Sequence, residues 1–268
     1  MRRSFFYSLS VISFTLTLIT FFFYAQAQKL PNKQEASFVA PAKVKIDGKA
    51  NEWSFQAYNS ATDVFYTVAH DSENIYLAVK ATDEGIVRKI LSGGITFIIN
   101  SVGKKSDDGA ATIRYPLFNY KNKPDIKFSV KKVPSDSIDY VVSANNKNFV
   151  GKGKFLRVSG IKGVDTLLSV YNTDGISVGA AFDNEMNYTY ELAVSRKLIK
   201  DVVNTNGRFA YKIMLNPITF DDTPGVTITR EADGTITGVH VNKANFLPNI
   251  NQSISATTDV SGEYSLAK

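Results

Sequence analysis

Alternation of apolar side chains is the feature that most constrains the fold of this chain. Within residues 65–83, a polar turn separates two runs, and Ile75, Leu77 and Val79 recur at every second position of the later run. A period of two places alternate side chains on one face of a β-strand, so this segment predicts a hairpin with one buried face. Residues 188–194 repeat the pattern. The sequence has no cysteine, so a packed core rather than disulfides has to stabilise these strands.

The remaining pattern predicts one β-rich domain with few helices. Further strands are predicted at residues 95–100, 112–118, 126–130, 138–143, 155–158, 167–171, 176–182, 209–215 and 262–267, with a small hairpin within 226–241. The Asp174-Gly175 turn predicts a hairpin that joins 167–171 to 176–182. Short helices are predicted over residues 83–94 and after Ser195, which has the side chain of an N-cap. The domain is predicted to span 41–268, with insertions near 119–163 and 219–251, after a polar linker at 28–40.

The amino terminus has the pattern of an export signal. Arg2 and Arg3 precede a long uncharged apolar run, and Ala25-Gln26-Ala27 supplies the small residues that a signal peptidase requires. This predicts a signal peptide over 1–27 and a secreted or periplasmic protein. The apolar run also approaches the length that spans a bilayer, so an uncleaved membrane anchor is the alternative. After cleavage no further membrane span is expected.

Charge gives no indication of nucleic-acid binding. The sequence has 31 basic and 25 acidic residues, a net charge of +6, and its lysines are scattered. Nucleic-acid binding is typical of basic residues clustered on one face. We therefore expect a solvated surface and no nucleic-acid partner, and the sequence does not indicate an oligomeric state.

Three segments resemble a known family of binding modules. The opening Ile46-Asp47-Gly48-Lys49-Ala50-Asn51-Glu52-Trp53 predicts a tight turn that follows a short strand over 44–46. It resembles the start of family 9 carbohydrate-binding modules, and residues 187–195 and 262–266 resemble that family's late and closing strands. The resemblance implies an antiparallel, jelly-roll-like β-sandwich with one or two short helices, in an all-β secreted domain. It also implies a glycan or related small polar ligand. Family members hold the sugar between two tryptophans, whereas this chain has only Trp53.

Sugar recognition combines aromatic rings that stack on pyranose faces with polar side chains that bond the hydroxyls. The candidates for ligand binding are Trp53, Arg114, Tyr115, Phe118 and Tyr120. The favoured interpretation of Trp53 is nevertheless a core residue, and that of the three aromatic residues near Arg114 is half-buried strand residues. Arg114 offers a fork of donors that would bridge two hydroxyls, or would pair with an acid on the sheet.

Two loops carry the oxygen ligands that calcium prefers. Asp107 and Asp108 lie on one loop, and Asp183 and Glu185 lie on another. Calcium is therefore the candidate cofactor, although acidic residues of this kind are also ordinary turn formers.

The enzyme interpretation has the weakest support. His70 and His240 are the only histidines, neither lies in a serine-hydrolase or zinc-protease motif, and no phosphate loop or dinucleotide fingerprint is present. The predicted function is a non-catalytic module that binds a glycan. A cell-envelope structural or interaction protein that keeps the fold without a sugar site is the alternative, and a glycan-processing enzyme comes third.

Overall fold

Two antiparallel sheets lie face to face and enclose one apolar core. The computed structural model describes residues 29–119, 121–129, 134–217, 225–231, 236–242 and 256–266, and the residues from Pro31 onward form one unit. One sheet has five strands in the order β1-β2-β3-β9-β8. These are β1 (Ala57–Asn59), β2 (Val64–His70), β3 (Asn74–Ala81), β8 (Ile176–Phe182) and β9 (Tyr188–Ser195). The predicted antiparallel β-sandwich is confirmed.

The second sheet has six strands in the order β13-β10-β4-β5-β6-β7. These are β4 (Ile95–Asn100), β5 (Ala111–Tyr115), β6 (Phe155–Ser159), β7 (Leu167–Ser169), β10 (Arg208–Leu215) and β13 (Thr258–Ser265). A separate hairpin pairs β11 (Val226–Arg230) with β12 (Ile236–Val241). All of these pairings are antiparallel.

The alternating residues line the core as predicted. Ile75, Leu77 and Val79 are fully buried on β3, as are Tyr188, Tyr190, Leu192 and Val194 on β9. β3 and β9 pair over their whole lengths, with Leu77 opposite Leu192. The central strands of the five-stranded sheet therefore present one continuous apolar face to the other sheet.

Two helices accompany the sheets. The first, α1 (Glu84–Gly93), was predicted correctly: Asp83 caps it by accepting a hydrogen bond from the Ile86 amide, and Gly94 ends it at φ 76°. The second, α2 (Ile138–Lys152), replaces the strand predicted at residues 138–143. That prediction was wrong because Val142, Asn145 and Phe149 recur at helical spacing and form the buried side of a helix.

Two asparagines of α2 fix the helix to the sandwich. The Asn146 amide accepts a hydrogen bond from the Phe182 amide N–H at 2.7 Å and donates to the Phe182 carbonyl at 3.0 Å, at the outer edge of β8. Asn145 makes the same pair of bonds with the backbone of Lys127. A side-chain amide has a carbonyl acceptor beside N–H donors, so it can pair with a backbone edge as another strand would.

Three further local predictions were wrong. The Asp174-Gly175 turn does not close a hairpin, because β7 pairs with β6 and β8 pairs with β9, so the turn connects the two sheets. Residues 44–46 and 126–129 form no strand, and the rest of the predicted strand 126–130 lies outside the described residues. By contrast, the short helix predicted after Ser195 is present as one 3₁₀ turn (Arg196–Ile199) with Ser195 at its N-cap position, although the Ser195 side chain makes no capping hydrogen bond.

Candidate functional site

Three predicted ligand-binding aromatic residues lie in the interior. Trp53 is 7% exposed, Tyr115 is 4% exposed and Phe118 is 7% exposed. Tyr115 points inward from β5 and stacks on Tyr190 of the other sheet, with ring centroids 6.1 Å apart. Tyr120 lies outside the described residues. The structure therefore separates Tyr115 from Arg114, its neighbour on β5, because adjacent strand residues face opposite sides of the sheet.

Trp53 covers the outer face of the five-stranded sheet. Its ring lies 5.8 Å from that of Tyr76, and it packs with Ala69, Ala78 and Ala193 in a second small apolar cluster. Residues 38–55 contribute Val44, Ile46 and other side chains that pack against the same cluster. The opening segment is thus a cover for the sheet, and the indole offers little free surface for stacking on a ligand.

The carboxylate of Glu191 binds this cover to the sheet. One of its oxygens accepts a hydrogen bond from the Trp53 ring N–H at 2.5 Å, and the other accepts from the amides of Gly48 at 2.6 Å and Asp47 at 3.0 Å. Gly48 has φ 82°, and a Cβ there would lie 2.4 Å from the carbonyl carbon of Ala180, so the turn requires glycine. Sequence analysis gave Glu191 no role, although it is the only acid within the apolar strand 188–194.

Burial sets the acid–base behaviour of Glu191. The side chain is fully buried, and this raises the pKa of its carboxyl from 4.5 to about 7, while the bonds from Trp53, Gly48 and Asp47 act to lower it. Between pH 4.5 and about 7, Glu191 therefore keeps a proton in the folded state that it has released in the unfolded state. Such a group stabilises the fold below about pH 4.5, and that stabilisation is lost as the pH rises towards 7.

We expect the free energy of unfolding to decrease as the pH rises from about 4.5 to about 7. The Glu191→Gln variant, which cannot ionise, should lack the Glu191 component of this decrease. Urea unfolding of both proteins at half-unit pH intervals measures the difference. If Glu191 instead made the free energy of unfolding increase over this interval, the three hydrogen bonds would lower its pKa by more than burial raises it. That result would contradict the expectation.

Arg114 is the predicted ligand-binding residue that faces outward. It extends from β5 onto the outer side of the six-stranded sheet, where it is partly buried. Its Nε atom is buried and has no hydrogen-bond partner. Burial, and then the charge of Arg157, lower the pKa of the guanidinium from its usual value. A buried donor without an acceptor is costly, and most such groups in proteins are satisfied.

Arg157 lies directly opposite Arg114. The register of β5 and β6 pairs the two residues, and Arg157 is exposed. Within the described part of the chain, neither guanidinium forms a salt bridge with a carboxylate. Arg157 was not among the predicted site residues, because sequence alone does not tell that β5 and β6, some 40 residues apart, are neighbours.

Exposed apolar side chains border the two arginines. Leu167 on β7 is opposite Arg157 and is 55% exposed, and Phe155, two residues before Arg157 on β6, is 50% exposed. Tyr171 follows β7 and is 70% exposed, and its hydroxyl accepts a hydrogen bond from the Lys154 ammonium at 3.1 Å. We call this surface of Arg114, Phe155, Arg157, Leu167 and Tyr171 the arginine face. It combines exposed apolar side chains with guanidinium groups that form no salt bridge with any residue that the structure describes.

The two predicted calcium loops are occupied by protein contacts. Asp107 accepts a hydrogen bond from the Lys212 ammonium at 2.5 Å, and the carbonyl of Asp108 accepts one from Lys104. Asp183 pairs with Lys80 at 3.3 Å, and the Asn187 amide donates to Asp183 at 2.8 Å and to Glu185 at 3.0 Å. Among the residues described, no group of three or more His, Cys, Asp or Glu side chains has metal-binding geometry.

Asp183 and Glu185 also line a groove beside α2. The groove has a volume of about 1190 Å³ and runs between α2, residues 48–51 and the outer side of the five-stranded sheet. Two pairs of its lining side chains bond each other, since Lys80 pairs with Asp183 and the Asn184 amide donates to Asp139 at 2.7 Å.

Comparisons with known proteins give a structural likeness and no sequence match. No family model matches the chain, and no curated protein matches it. The chain is similar to a solved structure of a family 9 carbohydrate-binding module from Caldicellulosiruptor kristjanssonii in complex with glucose, with a TM-score of 0.36 and 12% identity over 87% of this chain and 96% of that chain. That module belongs to the family that the opening segment resembles. The glucose is a ligand of that module, and what this chain binds has to be argued from its own side chains.

No helix in the described part of the chain is long and apolar enough to cross a membrane.

Proposed function

We propose that this protein binds a saccharide on the arginine face and acts as a non-catalytic binding module. The observation that carries the proposal is the cross-strand pair of Arg114 and Arg157, bordered by exposed Phe155 and Tyr171. Guanidinium groups donate to pairs of oxygen atoms, and aromatic rings offer flat apolar surface to the faces of sugar rings. Together they supply both kinds of contact that sugar recognition needs.

The spacing of the apolar residues supports a platform of the right kind. Phe155 is opposite Ser169, so Leu167, two residues earlier on β7, is its diagonal neighbour, and Tyr171 lies in the turn that follows β7. Diagonal neighbours on a sheet are about 7–8 Å apart, which allows large side chains to share one surface. A saccharide that lies along β7 would therefore contact apolar side chains on one side and the arginines on the other. We further propose export through the signal peptide at 1–27, followed by function outside the cytoplasm.

A glycan array that displays cell-wall saccharides tests this proposal on the exported protein. Binding to at least one saccharide class is expected, and Tyr171→Ala should weaken it by about 1–3 kcal/mol, by analogy with aromatic stacking on nucleic-acid bases. Tyr140→Ala is the matched control, because Tyr140 is 79% exposed on α2, away from the arginine face. Equal losses in the two variants would contradict the assignment of the surface.

The burial of Trp53, Tyr115 and Phe118 favours a second candidate function. A cell-envelope interaction protein that keeps this fold has no need of an exposed stacking pair. A glycan array without any binding, together with a protein partner whose capture depends on Phe155 and Leu167, would support that function instead.

A further inference from the structure

We propose that the saccharide bound on the arginine face is acidic, and that Arg114 and Arg157 together hold its carboxylate or sulfate group. This inference rests on the proposed function and specifies the ligand class. It starts from the register that sets the two arginines opposite each other across β5 and β6. Like charges placed directly opposite on a sheet are destabilising unless something compensates them. An anion between the two guanidinium groups would supply that compensation.

Within the described residues, no carboxylate forms an ion pair with either arginine. The outward residues around the pair are neutral: Thr96 is opposite Arg114 on β4, and Leu167 is opposite Arg157 on β7. The nearest acid in the same cross-strand row is Asp259 on β13, three strands away from Arg114. At about 4.8 Å per strand, this is too far for an ion pair. The positive charge of Arg114 and Arg157 is therefore available to pair with an anionic ligand.

The form of the donors indicates an oxyanion. Arg114 is partly buried and its Nε lacks an acceptor, so part of the cost of desolvation is already met before any ligand arrives. A guanidinium presents parallel N–H groups whose spacing matches the two oxygens of a carboxylate, and two guanidiniums can also share the three oxygens of a sulfate. A neutral hydroxyl could accept a hydrogen bond from a guanidinium but would leave the paired charges uncompensated.

The surroundings indicate that the anion is carried on a saccharide and not on a nucleic acid. Three cations lie there, Arg114, Arg157 and the Lys154 ammonium at Tyr171, and the flanking Phe155 and Leu167 are uncharged and about half exposed. Nucleic-acid affinity depends on many phosphate contacts along a basic surface. A few cations beside an apolar platform suit a ligand with one acid group per sugar ring.

The test compares polysaccharides that differ only in charge. Titration calorimetry of the exported protein is carried out with polygalacturonate and with its methyl ester, and then with dextran sulfate and with dextran. We expect at least one acidic member to bind about tenfold or more tightly than its neutral counterpart. Preference for polygalacturonate identifies a carboxylate, and preference for dextran sulfate identifies a sulfate. Arg157→Gln, a change at an exposed position, should remove that preference.

A charge-matched control separates a specific site from general attraction. The Lys197→Gln/Lys200→Gln double variant removes two cations from a different surface, around the 3₁₀ turn after β9, and should leave the preference intact. Equal binding of acidic and neutral members would overturn the acidic ligand while leaving the saccharide proposal standing. The acidic-ligand proposal would also be overturned if the lysine variant lost the preference. It would be overturned as well if single-stranded DNA competed for the protein as strongly as the acidic polysaccharide does. Absence of binding to any saccharide here and on the array would instead remove the proposed function itself.

Discussion

Replacing Trp53 with alanine should lower the free energy of unfolding by about 3–5 kcal/mol, the range for deleting a large buried aromatic side chain. The indole is 7% exposed, packs on Tyr76 and donates its N–H to Glu191. The change would leave a cavity under the opening segment and an unpaired carboxylate oxygen. Urea or guanidinium unfolding measures the loss.

The fluorescence of Trp53 provides an independent check. Trp53 is the only tryptophan, so its emission reports on this one position. We expect blue-shifted emission in the folded protein and no change on addition of a saccharide. A loss of less than about 1 kcal/mol in the alanine variant, together with quenching by a bound saccharide, would identify Trp53 as a stacking residue and refute its structural role.

Replacing Glu191 with alanine should destabilise the fold by about 3–5 kcal/mol. The change leaves the Trp53 ring N–H and the Gly48 amide without acceptors in a buried place, and each such loss costs about 1–3 kcal/mol. The opening segment would lose its main polar attachment to the five-stranded sheet. Thermal unfolding and amide exchange of residues 46–53 measure the two effects.

A double-mutant cycle tests whether Trp53 and Glu191 act together. In Glu191→Gln, we expect the new amide to turn its N–H group towards the indole N–H, which is unfavourable. Trp53→Phe removes the indole donor, so Glu191→Gln should cost less in that background than in the native protein. Residues in contact typically show coupling of about 0.5–3 kcal/mol. Additive costs would show that the hydrogen bond contributes nothing of its own.

The sequence predicted those parts of the fold that depend on local periodicity. The alternation along β3 and β9 gave the correct buried faces, and the helical spacing of apolar residues before Gly93-Gly94 gave α1. These signals lie within single elements and need no knowledge of distant neighbours. The helix α2 was missed because its buried side includes Asn145, a polar residue that interrupts the apolar stripe and is satisfied by the backbone of Lys127.

The parts of the site that depend on distant pairing were not predictable in this way. Glu191 lies on the outward side of β9, and it is buried only because the opening segment covers that side. Arg114 was a candidate from its side chain alone, whereas Arg157 became one only through the β5–β6 register. Tyr115 was a misleading candidate because it points to the opposite side of the sheet from Arg114.

Mapping a bound saccharide onto the protein tests the central claim most directly. Two-dimensional amide NMR spectra of the exported protein are recorded during titration with the tightest-binding saccharide from the array. We predict that the perturbed amides cluster on β5, β6 and β7 around Arg114 and Arg157, and that the Trp53 indole signal stays unchanged. Perturbations confined to the groove beside α2, or centred on Trp53, would contradict binding on the arginine face.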